Sequence, residues 1–303
     1  MSDDLNNELD DTQRTIILKS DDSSLIHQAR KASIIVLAGW EIGREIVLAD
    51  DELVIGRSPM ADVQINDQSI SRRHVRIRRI RDDADYYEIS DLNSSNGTRV
   101  NNEPITSRRL DDGDKIQLGT ILFKFTYQDK FDEVFHKNIH RLIHFDQLTG
   151  LYTMDSFRSK LEEILTKATS NTQFVIAMTD LDGLKRVNDT FGHLAGRSVV
   201  EAMGAMMRGC IRKQDLAGLY GGDEAIVFFA GATLEDASVV AEHLRVTVNQ
   251  RVFSRGDKPF GVTISQGLAQ FPLHGKTLEQ LIAAADGALY QAKADGRNCI
   301  RTA

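Results

Sequence analysis

The stretch GLYGGDEAIVFF, residues 218–229, decides how the second half of the chain is read. Leu219-Tyr220 and Ile226-Val227-Phe228-Phe229 have the texture of two strands, with Gly221-Gly222 supplying the turn between them. A hairpin accounts for the glycines but not for two adjacent acids. Asp223 and Glu224 sit at the tip of an apolar unit, where charge must either face water or meet a partner. A third acid, Asp180, lies near the end of another apolar run, FVIAMTDLD (174–182). If that strand lies beside the hairpin, Asp180, Asp223 and Glu224 converge. Carboxylates gathered without a basic partner repel one another unless a cation is bound. Hard oxygen donors favour Mg²⁺ or Mn²⁺, ions that usually also hold substrate phosphates. Gly222 would let the backbone approach such a phosphate closely, and two metals could activate a ribose hydroxyl and clamp the attacked phosphate.

The rest of the chain sets the frame. Its 303 residues allow two domains, and 41% apolar with 27% charged residues is the balance of an ordinary globular protein. A formal net charge of −7 gives no basic footprint for nucleic acid. No run of about 18 apolar residues occurs and the N-terminus is acidic, so neither a membrane span nor a secretory signal is expected. Cys210 and Cys299 suggest neither a disulfide framework nor a zinc site. These features predict a reduced, cytoplasmic, multidomain protein.

Residues 1–30 read as a flexible acidic tail. From 31 to 127 the chain is a series of short β-type runs punctuated by turn residues, which predicts an all-β sandwich or barrel. Between 128 and 145 the period changes: Phe131, Val134, Phe135, Ile139, Leu142 and Ile143 recur at helical spacing. That helix is either a core helix or a coupling helix that pairs with a copy of itself. From 146 to 303 strands and helices alternate, predicting an α/β or α+β layer structure.

Two loops of the β region carry unusual chemistry. IGRSPMADVQINDQSISRRHVRI (55–77) and DLNSSNGTRVN (91–101) bring Arg57, Ser71, Arg72, Ser95 and Asn96 to strand ends. Guanidinium, hydroxyl and amide groups together make a charge-assisted cradle for a phosphate oxyanion. Taken singly, each is an ordinary surface residue. Taken together, GR at 56–57, SRRH at 71–74 and NSSNGT at 93–98 resemble the forkhead-associated (FHA) domain. The resemblance implies a β-sandwich that binds phosphothreonine peptides through those five residues, with Gly56, His74 and Gly97 structural. It also draws the tail in. DDTQRTIIL presents Thr12 and Thr15 beside acids, with an apolar residue three positions after Thr15. Either threonine, once phosphorylated, is a candidate ligand for an FHA groove in the same chain or a neighbouring copy, against the plainer reading of an acidic tail with two incidental threonines.

In the second half, DQLTGL (146–151), DLDGLKRVNDTFGH (180–193), GGDE (221–224), SQGLA (265–269) and ADGALYQAKADGRN (285–298) occur in the order of the GGDEF domain of diguanylate cyclases. The chain is therefore similar to an FHA–GGDEF cyclase: an all-β FHA sandwich and an α/β GGDEF domain, like the nucleotidyl cyclases and the polymerase palm, joined by a helix. The resemblance implies that two GTP molecules, one per protomer of a homodimer, condense to cyclic di-GMP and two pyrophosphates. By position, Asp180, the Leu181 carbonyl and Asp223 would hold Mg²⁺. Glu224 would assist the metals or the 3′-hydroxyl, leaving open which acid acts as base. Asn188 would read guanine, and Lys185, Lys293 and Arg297 would neutralise the triphosphate. Read without the family, Asn188-Asp189 is a helix cap, Lys293 and Arg297 are solvated, and His193 packs or bonds locally.

Three departures from the pattern matter. Ala225 stands where the family usually has phenylalanine, so volume is lost and a neighbour must fill the gap or the hairpin loosens. Arg197 follows GHLAG where an aspartate is usual. Arginine only donates hydrogen bonds, so it would address guanine O6 and N7 or turn away. Arg212 and Asp215 have the RxxD spacing of a product-inhibition site, with His243 aligning with its usual second arginine. Two alternatives to a cyclase regulated by phosphothreonine and product stay open: a degenerate domain that binds cyclic di-GMP as a receptor or scaffold, and a cyclase with mixed purine products.

Overall fold

The computed structural model describes residues 30–39, 41–82, 85–169 and 171–303. Thr12 and Thr15 lie outside the described residues. The chain divides into two compact units, residues 1–138 and 139–303.

The first unit holds β1 (Lys31–Ala38), β2 (Glu45–Val47), β3 (Glu52–Gly56), β4 (Val63–Gln64), β5 (Val75–Ile80), β6 (Tyr86–Asp91), β7 (Thr98–Val100), β8 (Glu103–Ile105), β9 (Ser107–Leu110), β10 (Lys115–Leu118) and β11 (Ile121–Gln128). They form two sheets, in the orders β2-β1-β11-β10-β7-β8 and β4-β3-β5-β6-β9. Alternation drives this packing. In β5 Val75 and Ile77 are buried while Arg76 and Arg78 face outward, and in β10 Ile116 and Leu118 alternate with Lys115 and Gln117. The inward residues form one core around Ile34, Ile55, Ile89, Phe123 and Phe125. The expected all-β sandwich is the observed fold. The short strands β8 and β9 come from a polar segment that the alternation pattern does not pick out.

Helix α1 (Lys130–His144) follows, with Phe135, Leu142 and Ile143 exposed. Among its described residues none is buried, so it is not a core helix of either unit.

The second unit contains α2 (Met154–Thr166), β12 (Phe174–Asp182), α3 (Leu184–Phe191), α4 (His193–Cys210), β13 (Leu216–Leu219), β14 (Glu224–Ala230), α5 (Leu234–Gln250), β15 (Phe253–Arg255), β16 (Lys258–Phe260), β17 (Thr263–Phe271), α6 (Leu278–Ala294) and β18 (Ile300–Thr302). The central sheet runs β13-β14-β12-β17-β18. Its pairs are antiparallel except β17 with β18. β12 is apolar almost throughout because both of its faces are covered. Val175, Ala177 and Leu181 join Val199, Met203 and Leu244 of α4 and α5, while Phe174, Ile176 and Met178 join Phe157 of α2 and Leu281 and Leu289 of α6. Helices on both faces of one sheet are the layered α/β fold expected. The short helix α3 stands apart from α4; the break between them is Gly192, whose φ of 85° is open to glycine. Among the described residues no helix is long and apolar enough to cross a membrane.

Candidate active site and phosphate pocket

Strand register builds the acidic site. Asp180 pairs with Glu224 across β12 and β14, and the Leu181 amide donates to the Asp223 carbonyl at 3.2 Å. The turn before β14 closes on Glu224, whose carbonyl accepts the amides of Tyr220 (2.8 Å) and Gly221 (3.1 Å). Gly222 stands exposed at the tip. The three acids named from sequence therefore share one end of the sheet.

One feature overturns the expectation of carboxylates without a basic partner. Lys293 of α6 places Nζ 2.9 Å from Asp180 Oδ2 and 4.0 Å from Glu224 Oε1. Burial pushes the Asp180 carboxyl above its ordinary value, Asp223 and Glu224 add to that, and the Lys293 ammonium opposes it. Three carboxylates and one ammonium leave an excess of two negative charges, which suits a divalent cation. Among the described residues no three or more His, Cys, Asp or Glu side chains form a ready-made metal group.

The remaining residues divide. Lys185 is exposed on α3 and Arg197 on α4, and His193 is the exposed first residue of α4. Asn188 lies within α3 instead of capping it, and its side chain is pressed against α4. A Cβ added to Gly196 would meet Asn188 Oδ1 at 1.9 Å, so glycine at 196 makes room for the Asn188 amide. Arg297, with its side chain 60% exposed, sets Nε 4.0 Å from Asp182 Oδ1. Ala225 is fully buried in the core and pairs with Thr179 and Leu219, so the hairpin remains closed without phenylalanine.

Asp182 is the residue that sequence reading passes over. Its carboxylate accepts Thr263 Oγ1 (2.7 Å), Ser265 Oγ (2.8 Å) and the Asn298 amide (3.0 Å). The signal was its spacing: two residues from Asp180 on a strand, it faces the same side.

The RxxD pair is arranged unevenly. Asp215 is buried and its oxygens accept the Arg212 and Ala230 amides, both at 2.9 Å. Arg212 and His243 are exposed. A cavity of about 220 Å³ beside the pair is lined by Tyr152, Arg208, Arg212, Lys213 and Asp215 among others.

In the β-sandwich, Arg57, Ser71, Arg72 and Ser95 line a depression of about 400 Å³ together with Arg73 and Asn93. Ser71 Oγ accepts the Ser95 amide at 2.9 Å, tying the two loops together. Arg57 Nε donates to the Ile70 carbonyl at 3.2 Å. Asn96 instead lines an adjoining cavity of about 240 Å³ with Arg99 and Gln117, its amide donating to the Ser69 carbonyl at 2.8 Å. Beneath lie two fixed points. A Cβ at Gly56 would meet the Arg72 carbonyl oxygen at 2.3 Å, so only glycine lets these strands approach. The fully buried His74 accepts the Ser71 amide on Nδ1 (3.1 Å) and donates from Nε2 to the Gly97 carbonyl (3.2 Å).

Comparison with known proteins agrees with the two folds. The family described as "Diguanylate cyclase, GGDEF domain" matches residues 143–299, and the FHA domain family matches 53–119. The response regulator PleD of Caulobacter vibrioides is 37% identical over 158 residues, 51% of this chain and 35% of PleD. Diguanylate cyclase A of Treponema denticola is 34% identical over 148 residues, 49% of this chain and 37% of that protein. The chain thus spans little more than a third of the length of these relatives. Among solved structures, the coiled coil and GGDEF domain of DgcB from Caulobacter crescentus, in complex with c-di-GMP, gives a TM-score of 0.52 at 26% identity, covering 56% of this chain and 91% of that one. Diguanylate cyclase SiaD of Pseudomonas aeruginosa, in complex with its activator SiaC, gives 0.52 at 30% identity, covering 57% and 68%.

Proposed function

Because the chain belongs to the diguanylate cyclase GGDEF-domain family, we propose that it condenses two GTP molecules to cyclic di-GMP and two pyrophosphates, as a homodimer with one GTP on each protomer. The observation that carries this reading is the meeting of Asp180, Asp223 and Glu224 with Lys293 at one end of the sheet. In each half-reaction the 3′-oxygen of one GTP attacks the α-phosphorus of the other. A P–O bond forms, the bond to pyrophosphate breaks, and the hydroxyl proton leaves to a base.

Asp180, Asp223 and the Leu181 carbonyl would hold Mg²⁺ or Mn²⁺. When bound, the ion supplies charge neutralisation at the attacked phosphate. The protein's own groups do the rest. Lys293 opposes the upward push that burial gives the Asp180 carboxyl. Lys185 and Arg297 add positive charge for the triphosphate. Glu224, in the turn beside Asp223, would assist the metals or the 3′-hydroxyl. Asn188, held against Gly196, presents an amide to the base. Arg197 offers donors where the family has an acceptor, so ATP is included in the test. GTP as substrate points to the cytoplasm.

Control is assigned to two further sites. The Arg57, Ser71, Arg72 and Ser95 depression, with Asn96 beside it, binds a phosphothreonine peptide, and Thr12 or Thr15 of the chain's own tail is the candidate ligand. Arg212, Asp215 and His243 bind cyclic di-GMP and slow the enzyme.

Purified protein incubated with Mg²⁺ and GTP, ATP or both should yield cyclic di-GMP from GTP, identified by chromatography. No product from GTP, in wild type and in Arg212→Ala alike, would overturn the enzyme reading.

A further inference from the structure

The turn after α6 is held in an unusual backbone conformation. Gly296, Arg297 and Asn298 have φ of 108°, 66° and 47°, so two non-glycine residues in succession occupy the left-handed region. Single residues of that kind are uncommon, and they persist only where surrounding contacts impose them. Here the contacts are visible. The Arg297 amide donates to the Ala292 carbonyl at 3.0 Å. Arg245 Nη1 grips Asn298 through Oδ1 (2.8 Å) and the carbonyl (3.3 Å), while Glu242 steadies the same guanidinium. The Asn298 amide points at Asp182 Oδ2, 3.0 Å away.

Asp182 is the centre of this arrangement. Its side chain is 6% exposed. Two hydroxyls from β17 and one backbone amide hold it in place, and the Arg297 guanidinium stands 4.0 Å off. The hydroxyls and the amide thus converge on the protein's own carboxylate, leaving it hydrogen-bonded on both oxygens. Arg297 keeps most of its surface in solvent. Five N–H donors on a planar fork leave it free to address a phosphate while facing Asp182. Lys293 is anchored separately, through Asp180.

We propose that Asp182 is a positioning residue for triphosphate binding: it fixes the left-handed turn and thereby aims Arg297, without touching substrate itself. The proposal rests on the reading of Arg297 as a triphosphate contact. Removing the charge at 182 releases the Asn298 amide and the guanidinium together. The turn then relaxes toward ordinary φ and Arg297 leaves the phosphate. Because Asp180, Asp223, Glu224 and Lys293 are held by other contacts, the cost falls on nucleotide affinity and not on turnover of bound nucleotide.

The test is a double-mutant cycle in the full chain with Asp182→Asn, Arg297→Ala and the double variant, since residues acting through one another are non-additive. KM for GTP should rise about tenfold in each single variant, the scale of a lost charged hydrogen bond, with kcat changed less than about threefold. The double variant should match Arg297→Ala. Additive KM effects, or a fall in kcat at unchanged KM, overturn the proposal. If Asp182→Asn does not fold, Thr263→Val removes one of the carboxylate's donors. A smaller KM rise that vanishes in the Arg297→Ala background supports the proposal, and an unchanged KM overturns it. The same cycle is run by calorimetry with a non-hydrolysable GTP analogue and Mg²⁺. A wild type that binds the analogue but makes no product defeats the cyclase reading while the Kd values still judge Asp182. A wild type that binds no analogue overturns both.

Discussion

The two candidate sites of this molecule carry opposite charge. In the β-sandwich, arginines and hydroxyls stand on loops between strands, and the two loops are stitched by Ser71 Oγ to the Ser95 amide. In the α/β unit, carboxylates stand on paired strands whose register brings Asp180 opposite Glu224. The first arrangement, on the function proposed for it, would take a phosphate dianion directly, so affinity would depend on donors reaching oxygen. The second repels phosphate until a cation intervenes, which makes it suited to polarising a phosphate rather than holding one. Loops suffice for recognition. Placing charged groups for chemistry calls for a ladder of backbone hydrogen bonds and a core on both faces of the sheet.

If that division is right, single substitutions should separate the sites. Asp223→Ala removes a carboxylate proposed to hold the metal and should lower kcat for cyclic di-GMP by about 10³-fold or more, the scale seen when positioned electrostatic groups are lost. Binding of a phosphothreonine peptide should be unchanged, and loss of both would mean the units are not separable. Arg57→Ala should do the converse. Losing one charge-assisted contact should weaken a tail phosphopeptide of residues 8–20 by about ten- to a hundredfold, measured by calorimetry, with cyclase turnover in the absence of peptide unchanged. No binding of that peptide by wild type would remove the tail from the account.

The legible parts of this fold share a physical character. FVIAMTDLD reads as a buried strand because it is covered on both sides, and β5 and β10 read as half-buried strands because their alternation is strict. Edge elements such as Glu103–Ile105 and Ser107–Leu110 send at most a terminal residue such as Leu110 into the core, so no alternation marks them. The acids of the site were legible as types near strand ends. Their electrostatics were not, because Lys293 comes from a helix far along the chain and reaches Asp180 only through tertiary packing. Asp182 stayed hidden for the same reason: its partners Thr263, Ser265 and Asn298 belong to distant segments. Ala225 was legible as a lost phenylalanine; of the two outcomes expected, a neighbour taking the space or a loosened hairpin, its full burial and its pairing with Thr179 and Leu219 favour the first.

That last point gives a smaller test of the sheet-borne site. Ala225→Phe restores the common residue of the family but inserts a ring where no surface is exposed. Overpacking of a filled core costs about 1–3 kcal/mol. Denaturant unfolding of the second unit should show a loss in that range, with the FHA unit unaffected. A gain in stability would mean that neighbours open readily to take the ring.

The smallest effect is a pH response confined to the loop-borne site. His74 is wedged between the two phosphate loops as the neutral tautomer, accepting at Nδ1 from Ser71 and donating at Nε2 to Gly97. Burial pushes its pKa below the ordinary 6.5, opposed by the Gly97 hydrogen bond and by Asp91. The unfolded chain therefore takes up the proton at higher pH than the folded one. Stability from the neutral ring is fully present above pH 6.5 and declines as pH falls from there toward the folded-state value. Protonation also removes the acceptor for the Ser71 amide, so the loop that carries Ser71 and Arg72 is the part that loosens. Thermal unfolding of the FHA unit should show a slope below pH 6.5 that His74→Asn abolishes, while the unfolding of the α/β unit keeps the same pH dependence in both proteins. An identical slope in the variant would mean that His74 does not tie the two loops together.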